Sequence, residues 1–324
     1  MTEESPDIVV LRKGEEGLSM ADYVEQIRLR LPDHDVRLAA TPTQEHELSR
    51  RATVITGGEL PENVLDTTVN LQLFAGTTSG YGHLPMEQLR EQGVAVTNAA
   101  GIHAPGIAEQ TIGNILIFAR NIHKGWQRKQ SHQWRHYQAT ELQNSTVTIV
   151  GLGAIGTAVA SRLDGFGVET IGIRYTPKKG GPTDEVHGFK HEKFHAALAR
   201  TDYLVIACPL TDTTEDLVDS EALGTLPPDA VVVNAARGGV VDTRALVTGL
   251  QKGSIRGAAL DVTDPEPLPP EHPLWSLDNV LITPHMGGHT PQHWRRLASI
   301  LSENVERIET NGQDTELKNQ ILQP

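Results

Sequence analysis

The feature that most constrains the fold is a glycine-rich turn between a predicted strand and a predicted helix. The apolar residues 146–150 predict a buried strand, which leads into a G-L-G-A-I-G sequence and an Ala-rich helical segment. Gly151 permits a tight turn, Gly153 lets the backbone approach a pyrophosphate, and Gly156 lets the helix pack against the strand. The helix N-terminus offers N–H groups to phosphates. The pattern predicts a dinucleotide-binding site.

The residue after the next predicted strand, 168–173, bears on which dinucleotide is bound. NAD enzymes usually carry a carboxylate here that holds the ribose hydroxyls and would repel a 2′-phosphate. This chain has Arg174, followed by Tyr175, Thr176 and two lysines. An arginine pairs with a phosphate. We therefore expect NADP(H) to be preferred, with NAD(H) possible; the alternative is a solvated basic loop.

Short apolar segments alternate with helical patterns along the chain, which is typical of parallel sheets with crossover helices. The helical pattern 106–129 separates two such series, and a last helix is expected from Pro291 to about Asn311. Six strands in the second series match a complete doubly wound dinucleotide fold. The predicted strands are 8–11, 36–39, 53–55, 71–75 and 94–97 in the first series, and 146–150, 168–173, 203–207, 230–234, 256–261 and 280–283 in the second.

Composition excludes several classes of protein. The formal charge of −13 argues against nucleic acid as the main partner. No apolar run is long enough to span a membrane, and the acidic start Met1–Glu4 does not resemble a signal peptide. A single cysteine, Cys208, suits a reducing compartment. We expect a cytoplasmic protein; 19 Arg against 9 Lys fits either a halophilic source or an ordinary acidic enzyme.

Three loops that follow the last predicted strands carry one ionisable group each. Arg237 lies in R-G-G-V-V-D, Glu266 in the proline-rich D-P-E-P, and His285 in T-P-H-M-G. Arg237 can bind a substrate carboxylate and polarise its carbonyl, and His285 can exchange a proton with the carbonyl oxygen. Glu266, if paired with His285, would orient the ring. The set predicts hydride transfer between a nicotinamide and a small 2-keto or 2-hydroxy acid, with no metal ligands assigned.

These motifs, in this order, resemble the D-isomer-specific 2-hydroxyacid dehydrogenases along essentially the whole chain. The resemblance rests on the glycine turn, C-P-L-T at 208–211, R-G-G-V-V-D, L-D-V…P-E-P and T-P-H-x-G. It implies an α/β fold of two doubly wound parallel-sheet domains, in which a Rossmann dinucleotide-binding domain (102–290) is inserted into a flavodoxin-like substrate domain (1–101 plus 291–324). It further implies a homodimer built with the long helix.

The resemblance also implies further site residues. The loop 77–83 would bind the substrate carboxylate through the N–H groups of Ser79 and Gly80, next to Tyr81, although Gly82 replaces the Asp that these enzymes usually carry. Asp261 would lie near the nicotinamide carboxamide. The complete expected cofactor set is Gly151, Gly153, Ala154, Ile155, Gly156, Arg174, Tyr175, Thr176, Cys208, Pro209, Thr214, Ala235, Asp261 and Gly287.

The sequence predicts an NAD(P)-dependent reductase of 2-keto acids that yields D-2-hydroxy acids. Narrower alternatives are a glyoxylate or hydroxypyruvate reductase and a phosphoglycerate dehydrogenase-like enzyme. An alternative of a different class is a non-catalytic NAD(P)-sensing protein. Turnover of 2-keto acids would distinguish the enzymes from the sensor.

Overall fold

A computed structural model describes residues 7–14 and 18–323 of the chain. The residues Met1–Glu4, from which the absence of a signal peptide was expected, lie outside the described residues. The chain divides into two compact units, one formed by Met1–Ile102 with Thr290–Pro324 and the other by His103–His289.

The strands, in chain order, are β1 Ile8–Val10, β2 Val36–Leu38, β3 Val54–Gly57, β4 Leu73–Gly76, β5 Ala95–Thr97, β6 Thr146–Val150, β7 Glu169–Ile173, β8 Glu185–His187, β9 Tyr203–Ile206, β10 Val231–Asn234, β11 Gly257–Leu260, β12 Val280–Ile282 and β13 Gln320–Leu322. The α-helices are α1 Met20–Arg28, α2 Pro42–Ser49, α3 Glu62–Leu65, α4 Met86–Glu91, α5 Ala104–Ala119, α6 Ile122–Gln130, α7 Ala154–Leu163, α8 His191–Leu198, α9 Ser220–Thr225, α10 Thr243–Lys252 and α11 His293–Asn311.

The first unit contains a six-stranded sheet in the order β13-β5-β4-β3-β1-β2. The strands β1 to β5 are parallel in the flavodoxin-like order 2-1-3-4-5, while β13 pairs antiparallel with β5 at the edge. Apolar side chains cover both faces of this sheet, as the continuous apolar runs of its strands require. On one face, Trp294 of α11 stacks on Tyr23 of α1 with ring centroids 4.8 Å apart.

The second unit contains a seven-stranded, fully parallel sheet in the order β12-β11-β10-β9-β6-β7-β8. This is the Rossmann order 3-2-1-4-5-6 with one additional strand. The helices α5 and α7 cover one face and α8, α9 and α10 the other, each contributing to a separate apolar core. The order changes direction between β6 and β9, and ligands of such sheets bind outside the strand ends at this switch point.

Three expectations about the elements need correction. The strands β8 and β13 were not predicted, because each is three residues long and only partly buried. The helical pattern 106–129 forms two helices, since Asn121 adopts a left-handed conformation with φ of 52° between α5 and α6. Asparagine is one of the few residues that tolerate this conformation. Within the described residues, no helix is both long and apolar enough to cross a bilayer.

Candidate active site

The glycine turn follows β6 and begins α7. Gly151 has φ of 99°, and a Cβ there would lie 2.6 Å from the carbonyl oxygen of Ala207. A Cβ on Gly156 would lie 1.9 Å from the carbonyl oxygen of Gly151, so the first turn of α7 packs directly on the loop. A Cβ on Gly153 would meet nothing within 4 Å. Two glycines are therefore required by packing, and the third leaves open space at the helix N-terminus.

Arg174 follows β7 directly and is partly buried. Its backbone N–H donates to His187, and its guanidinium donates to the carbonyl oxygen of Gly180 over 2.6 Å. The turn closed by this contact contains Tyr175, which is 82% exposed, and Thr176, which is also exposed. A guanidinium has five N–H donors, so the contact to Gly180 fixes Arg174 while leaving donors for another acceptor.

The segment after β9 is held by a buried threonine. The Thr214 hydroxyl donates to the carbonyl oxygen of Pro209 over 2.6 Å and accepts from the N–H of Thr211 over 2.8 Å. Cys208 is buried, and burial raises the pKa of its thiol to about 11. The thiol is therefore protonated at neutral pH, and this residue can serve the site through its backbone and its volume.

Arg237 lies in the turn after β10. Asn234 shapes this turn, because its side chain donates to the carbonyl oxygen of Arg237 over 3.0 Å and accepts from the N–H of Ala236. Ala235 is buried between them. A Cβ on Gly238 would lie 2.0 Å from the carbonyl oxygen of Thr263. The Arg237 turn therefore packs backbone against backbone on the loop that carries Glu266.

Asp261, directly after β11, is buried and holds the His285 loop. One carboxylate oxygen accepts from the Gln110 amide over 2.8 Å, from the Thr283 hydroxyl, and from the N–H of Met286 over 3.0 Å. The other accepts from the N–H of Gly287 over 2.9 Å. These donors satisfy a carboxylate that would be costly to bury unpaired.

His285 and Glu266 form a hydrogen-bonded pair. Nδ1 of His285 lies 3.1 Å from Oε2 of Glu266, and the other oxygen of Glu266 accepts from the N–H of Thr263 over 2.9 Å. The His285 backbone has φ of 54° and donates to the carbonyl oxygen of Asp261. The pair is about half exposed, so the second ring nitrogen, Nε2, can serve as an acid or base toward a ligand.

The predicted substrate loop 77–83 belongs to the first unit. Its shape is fixed by the Thr78 hydroxyl, which donates to the carbonyl oxygen of Gly80 over 2.8 Å, and by Asn98, which donates to the carbonyl oxygen of Ser79 over 2.7 Å. The N–H groups of Ser79 and Gly80 donate to no acceptor within residues 7–14 and 18–323. Tyr81 is 46% exposed. Two adjacent N–H groups with no partner are suited to an anion.

The geometry assigns supporting contacts that sequence reasoning missed. Gln110 and Thr283 bind Asp261, and Asn234 forms the Arg237 turn. In the sequence, the polar Gln110 interrupts the apolar pattern of α5, and this interruption was the signal from which its role could have been predicted. The second unit contains Arg237, Glu266, His285 and all the predicted cofactor residues, whereas Ser79, Gly80 and Tyr81 lie in the first unit.

The residues around the glycine turn fit a dinucleotide. The first turn of α7 contains no acidic residue, and no side chain among the described residues caps its N-terminus. Gly153 and Ala154 are exposed there, with Ile155 partly buried. The free N–H groups and the positive end of the helix dipole suit a pyrophosphate, and the open space beside Gly153 lets the phosphates approach.

Comparisons with known proteins agree with this geometry. The profile described as "D-isomer specific 2-hydroxyacid dehydrogenase, NAD binding domain" matches residues 112–287. A glyoxylate reductase of Thermofilum pendens is 34% identical over 254 residues, covering 76% of this chain and 74% of that protein. A D-3-phosphoglycerate dehydrogenase of Methanocaldococcus jannaschii is 31% identical over 258 residues. The alignment covers 79% of this chain but only 49% of the M. jannaschii protein.

Among solved structures, a D-isomer specific 2-hydroxyacid dehydrogenase from Xanthobacter autotrophicus Py2, in complex with NADPH and MES, superposes with a TM-score of 0.78. It is 27% identical in sequence, and the alignment covers 98% of each chain. The sequence and structural likenesses extend over both units. The chain therefore belongs to the D-isomer specific 2-hydroxyacid dehydrogenase family and is an NAD(P)-dependent oxidoreductase.

Proposed function

We propose that this chain reduces a small 2-keto acid to the D-2-hydroxy acid and prefers NADPH. The observation that carries the proposal is the contact of 3.1 Å between His285 and Glu266, on a loop fixed by the buried Asp261. A carboxylate on one ring nitrogen of an imidazole fixes the ring orientation and leaves the other nitrogen for proton exchange.

The roles of the protein groups follow from their chemistry. The guanidinium of Arg237 binds the substrate carboxylate and polarises the keto oxygen. His285 holds a proton at Nε2 and donates it to that oxygen as the alcohol forms, while Glu266 stabilises the charged ring. The bound nicotinamide supplies the hydride. In the opposite direction His285 accepts the hydroxyl proton.

We assign cofactor binding to the segment 102–290 and substrate binding to 1–101 plus 291–324. The N–H groups of Ser79 and Gly80, which donate to no acceptor in the described part of the chain, support the second assignment, because two adjacent N–H groups of this kind suit a carboxylate. The contacts of Asp261 to the His285 loop add a positioning role to the one that the family resemblance implies.

The preference for NADPH rests on Arg174 and the two lysines that follow it. Gly180 orients the guanidinium, and Lys178 and Lys179 lie in the same turn. Arg174→Asp should move the ratio of kcat/KM for NADPH and NADH toward NADH, because a carboxylate repels the 2′-phosphate. Arg244→Asp makes the same charge change elsewhere in the second unit and should leave the ratio unchanged. An unchanged ratio in Arg174→Asp would contradict the proposal.

Activity is tested with a panel of glyoxylate, hydroxypyruvate, pyruvate, longer 2-keto acids and 3-phosphohydroxypyruvate, each with NADPH and NADH, in low and high salt. Oxidation of NADPH with formation of the D-hydroxy acid is expected. Fastest turnover of glyoxylate or hydroxypyruvate would favour the narrower reductases, to which the glyoxylate reductase relative also points. Binding of NADPH without any turnover would overturn the proposal in favour of an NAD(P)-sensing protein.

A homodimer is also proposed, because exposed aromatic side chains concentrate between residues 122 and 137. Trp126 is 60% exposed and Trp134 is 97% exposed, and large exposed apolar groups in one region commonly mark an interface. Sedimentation should give twice the chain mass, and Trp134→Ser should weaken the association.

A cytoplasmic location and tolerance of high salt are proposed from the composition alone. Activity measured across a range of salt concentrations tests the proposed salt tolerance.

A further inference from the structure

Three potential metal ligands converge on the face of the second unit that carries α8 and α9. His191 and His195 lie four residues apart on α8, and Glu221 lies in the first turn of α9. Their ligand atoms all lie within 4.8 Å of one another. Among the residues that the structure describes, no other three His, Cys, Asp or Glu side chains meet this condition.

The backbone positions of these ligands are fixed by the core. Phe194 and Leu198 bury the inner face of α8, so that the residues four apart on the outer face, His191 and His195, share one side of the helix. The carboxylate of Asp219 caps α9 by accepting from two N–H groups over 2.9 Å each. Only side-chain rotation is therefore needed to bring the ligands together.

A hydroxyl fixes the tautomer of His195. The Thr225 hydroxyl donates its only hydrogen to the carbonyl oxygen of Glu221 over 2.8 Å, and it lies 2.8 Å from Nδ1 of His195. Because the hydroxyl has only lone pairs left, Nδ1 must donate the hydrogen. Nε2 of His195 then carries a lone pair, as metal-binding histidines require, and this kind of contact behind a ligand is common in metal sites.

The spacing of the ligand atoms fits a small divalent ion. Nε2 of His191 lies 3.2 Å from Oε1 of Glu221, and the rings of His191 and His195 stack with centroids 4.1 Å apart. Ligand atoms around tetrahedral zinc are separated by about 3.4 Å, given metal–ligand distances near 2.1 Å. His191 and Glu221 are each about two-thirds exposed, so their side chains can rotate to close the remaining gap.

We propose that His191, His195 and Glu221 form a binding site for a zinc-like divalent transition metal, with solvent completing the coordination. Two imidazoles and a carboxylate form a donor set that zinc accepts. The metal would connect α8 to α9 and stabilise the packing of these helices on the sheet. No metal site was predicted from the sequence, because Glu221 lies on a separate helix and is distant from the two histidines along the chain.

Zinc binding is measured by calorimetry on the full chain, purified without a polyhistidine tag and stripped with chelator. One zinc per chain is expected, with an increase in Tm that chelator reverses. His191→Ala, His195→Ala and Glu221→Gln should each weaken binding at least tenfold. Thr225→Val should also weaken it about tenfold by removing the acceptor for His195, whereas Thr225→Ser should retain it.

His187→Ala is the matched control. His187 lies 2.8 Å from Glu185 in the same unit, and this pair belongs to no three-ligand cluster in the described part of the chain. The zinc affinity of the His187→Ala variant should equal that of the parent protein. Cobalt in place of zinc should give a visible absorption band that the His195→Ala variant lacks. Unchanged binding in the three ligand variants, or equal loss in the control, would overturn the proposal. Circular dichroism establishes that each variant is folded. The test measures metal binding and does not depend on enzyme activity.

Discussion

Replacing Asp261 by Asn should loosen the loop that carries His285. Asp261 is 4% exposed, and its carboxylate accepts from four donors, those of Gln110, Thr283, Met286 and Gly287. An amide has one oxygen and one NH₂ group. In one orientation the amide oxygen of the substituted side chain faces Gln110, Thr283 and Met286. The NH₂ group then faces the N–H of Gly287, so that two donors oppose each other.

The magnitude follows from these contacts. The more favourable amide orientation loses one hydrogen bond and leaves one buried N–H without an acceptor, which costs about 1–3 kcal/mol. The opposite orientation places three donors against the NH₂ group and costs more. Opening of the loop should therefore become about 5- to 150-fold more frequent, given that about 1.4 kcal/mol corresponds to a factor of ten.

Hydrogen exchange of the Met286 and Gly287 amides, without cofactor, measures this opening directly. Exchange in Asp261→Asn should accelerate by that factor, and kcat should fall because His285 is less well positioned. Asp242→Asn is the control: Asp242 caps α10 by accepting from two N–H groups, and Asn caps equally well. Equal exchange rates at Gly287 in the parent and in Asp261→Asn would refute the reasoning.

The remaining predictions concern the same unit. His285→Ala should lower kcat by roughly 10²–10⁴-fold, and Arg237→Ala should lower kcat and raise the KM of the keto acid; effects confined to the cofactor KM would contradict both roles. Gly156→Ala should destabilise the fold by about 1–3 kcal/mol in urea unfolding, because its Cβ overlaps a carbonyl oxygen, whereas Gly153→Ala should keep stability and raise the NADPH KM. Alkylation of Cys208 by iodoacetamide at neutral pH should be at least about a hundredfold slower than that of free cysteine, because the raised pKa of about 11 leaves little thiolate, and the rate should rise with pH up to that value.

The sequence predicted the elements that bury continuous apolar runs. The strands of both parallel sheets have this pattern, since a sheet covered on two faces needs apolar side chains throughout. Prediction from apolar runs failed for β8 and β13, which are short edge strands stabilised by backbone pairing. It also failed at Asn121, because the end of α5 depends on a single left-handed residue inside an otherwise helical pattern.

The loops of the candidate site could be predicted from the sequence, whereas the side-chain hydrogen bonds that hold these loops in place could not. Arg237, Glu266 and His285 follow consecutive strands, and the ends of parallel strands meet at one edge of a sheet. The contacts from Gln110 to Asp261 and within the Asn234 turn depend on side-chain packing between distant segments. The side chains proposed as metal ligands on α8 and α9 were not singled out from the sequence, because they too meet only through packing between separate helices.

The close approach of Gly238 to Thr263 has a consequence for redesign. The loops of Arg237 and Glu266 meet through their backbones, so a side chain at Gly238 would displace both groups at once. Around Gly80 and Gly82, by contrast, an added Cβ meets nothing within 4 Å. Under the substrate-binding role proposed for the loop 77–83, side chains added at Gly80 and Gly82 should change substrate selectivity while Arg237 and Glu266 keep their positions, so this loop is the place to begin a library.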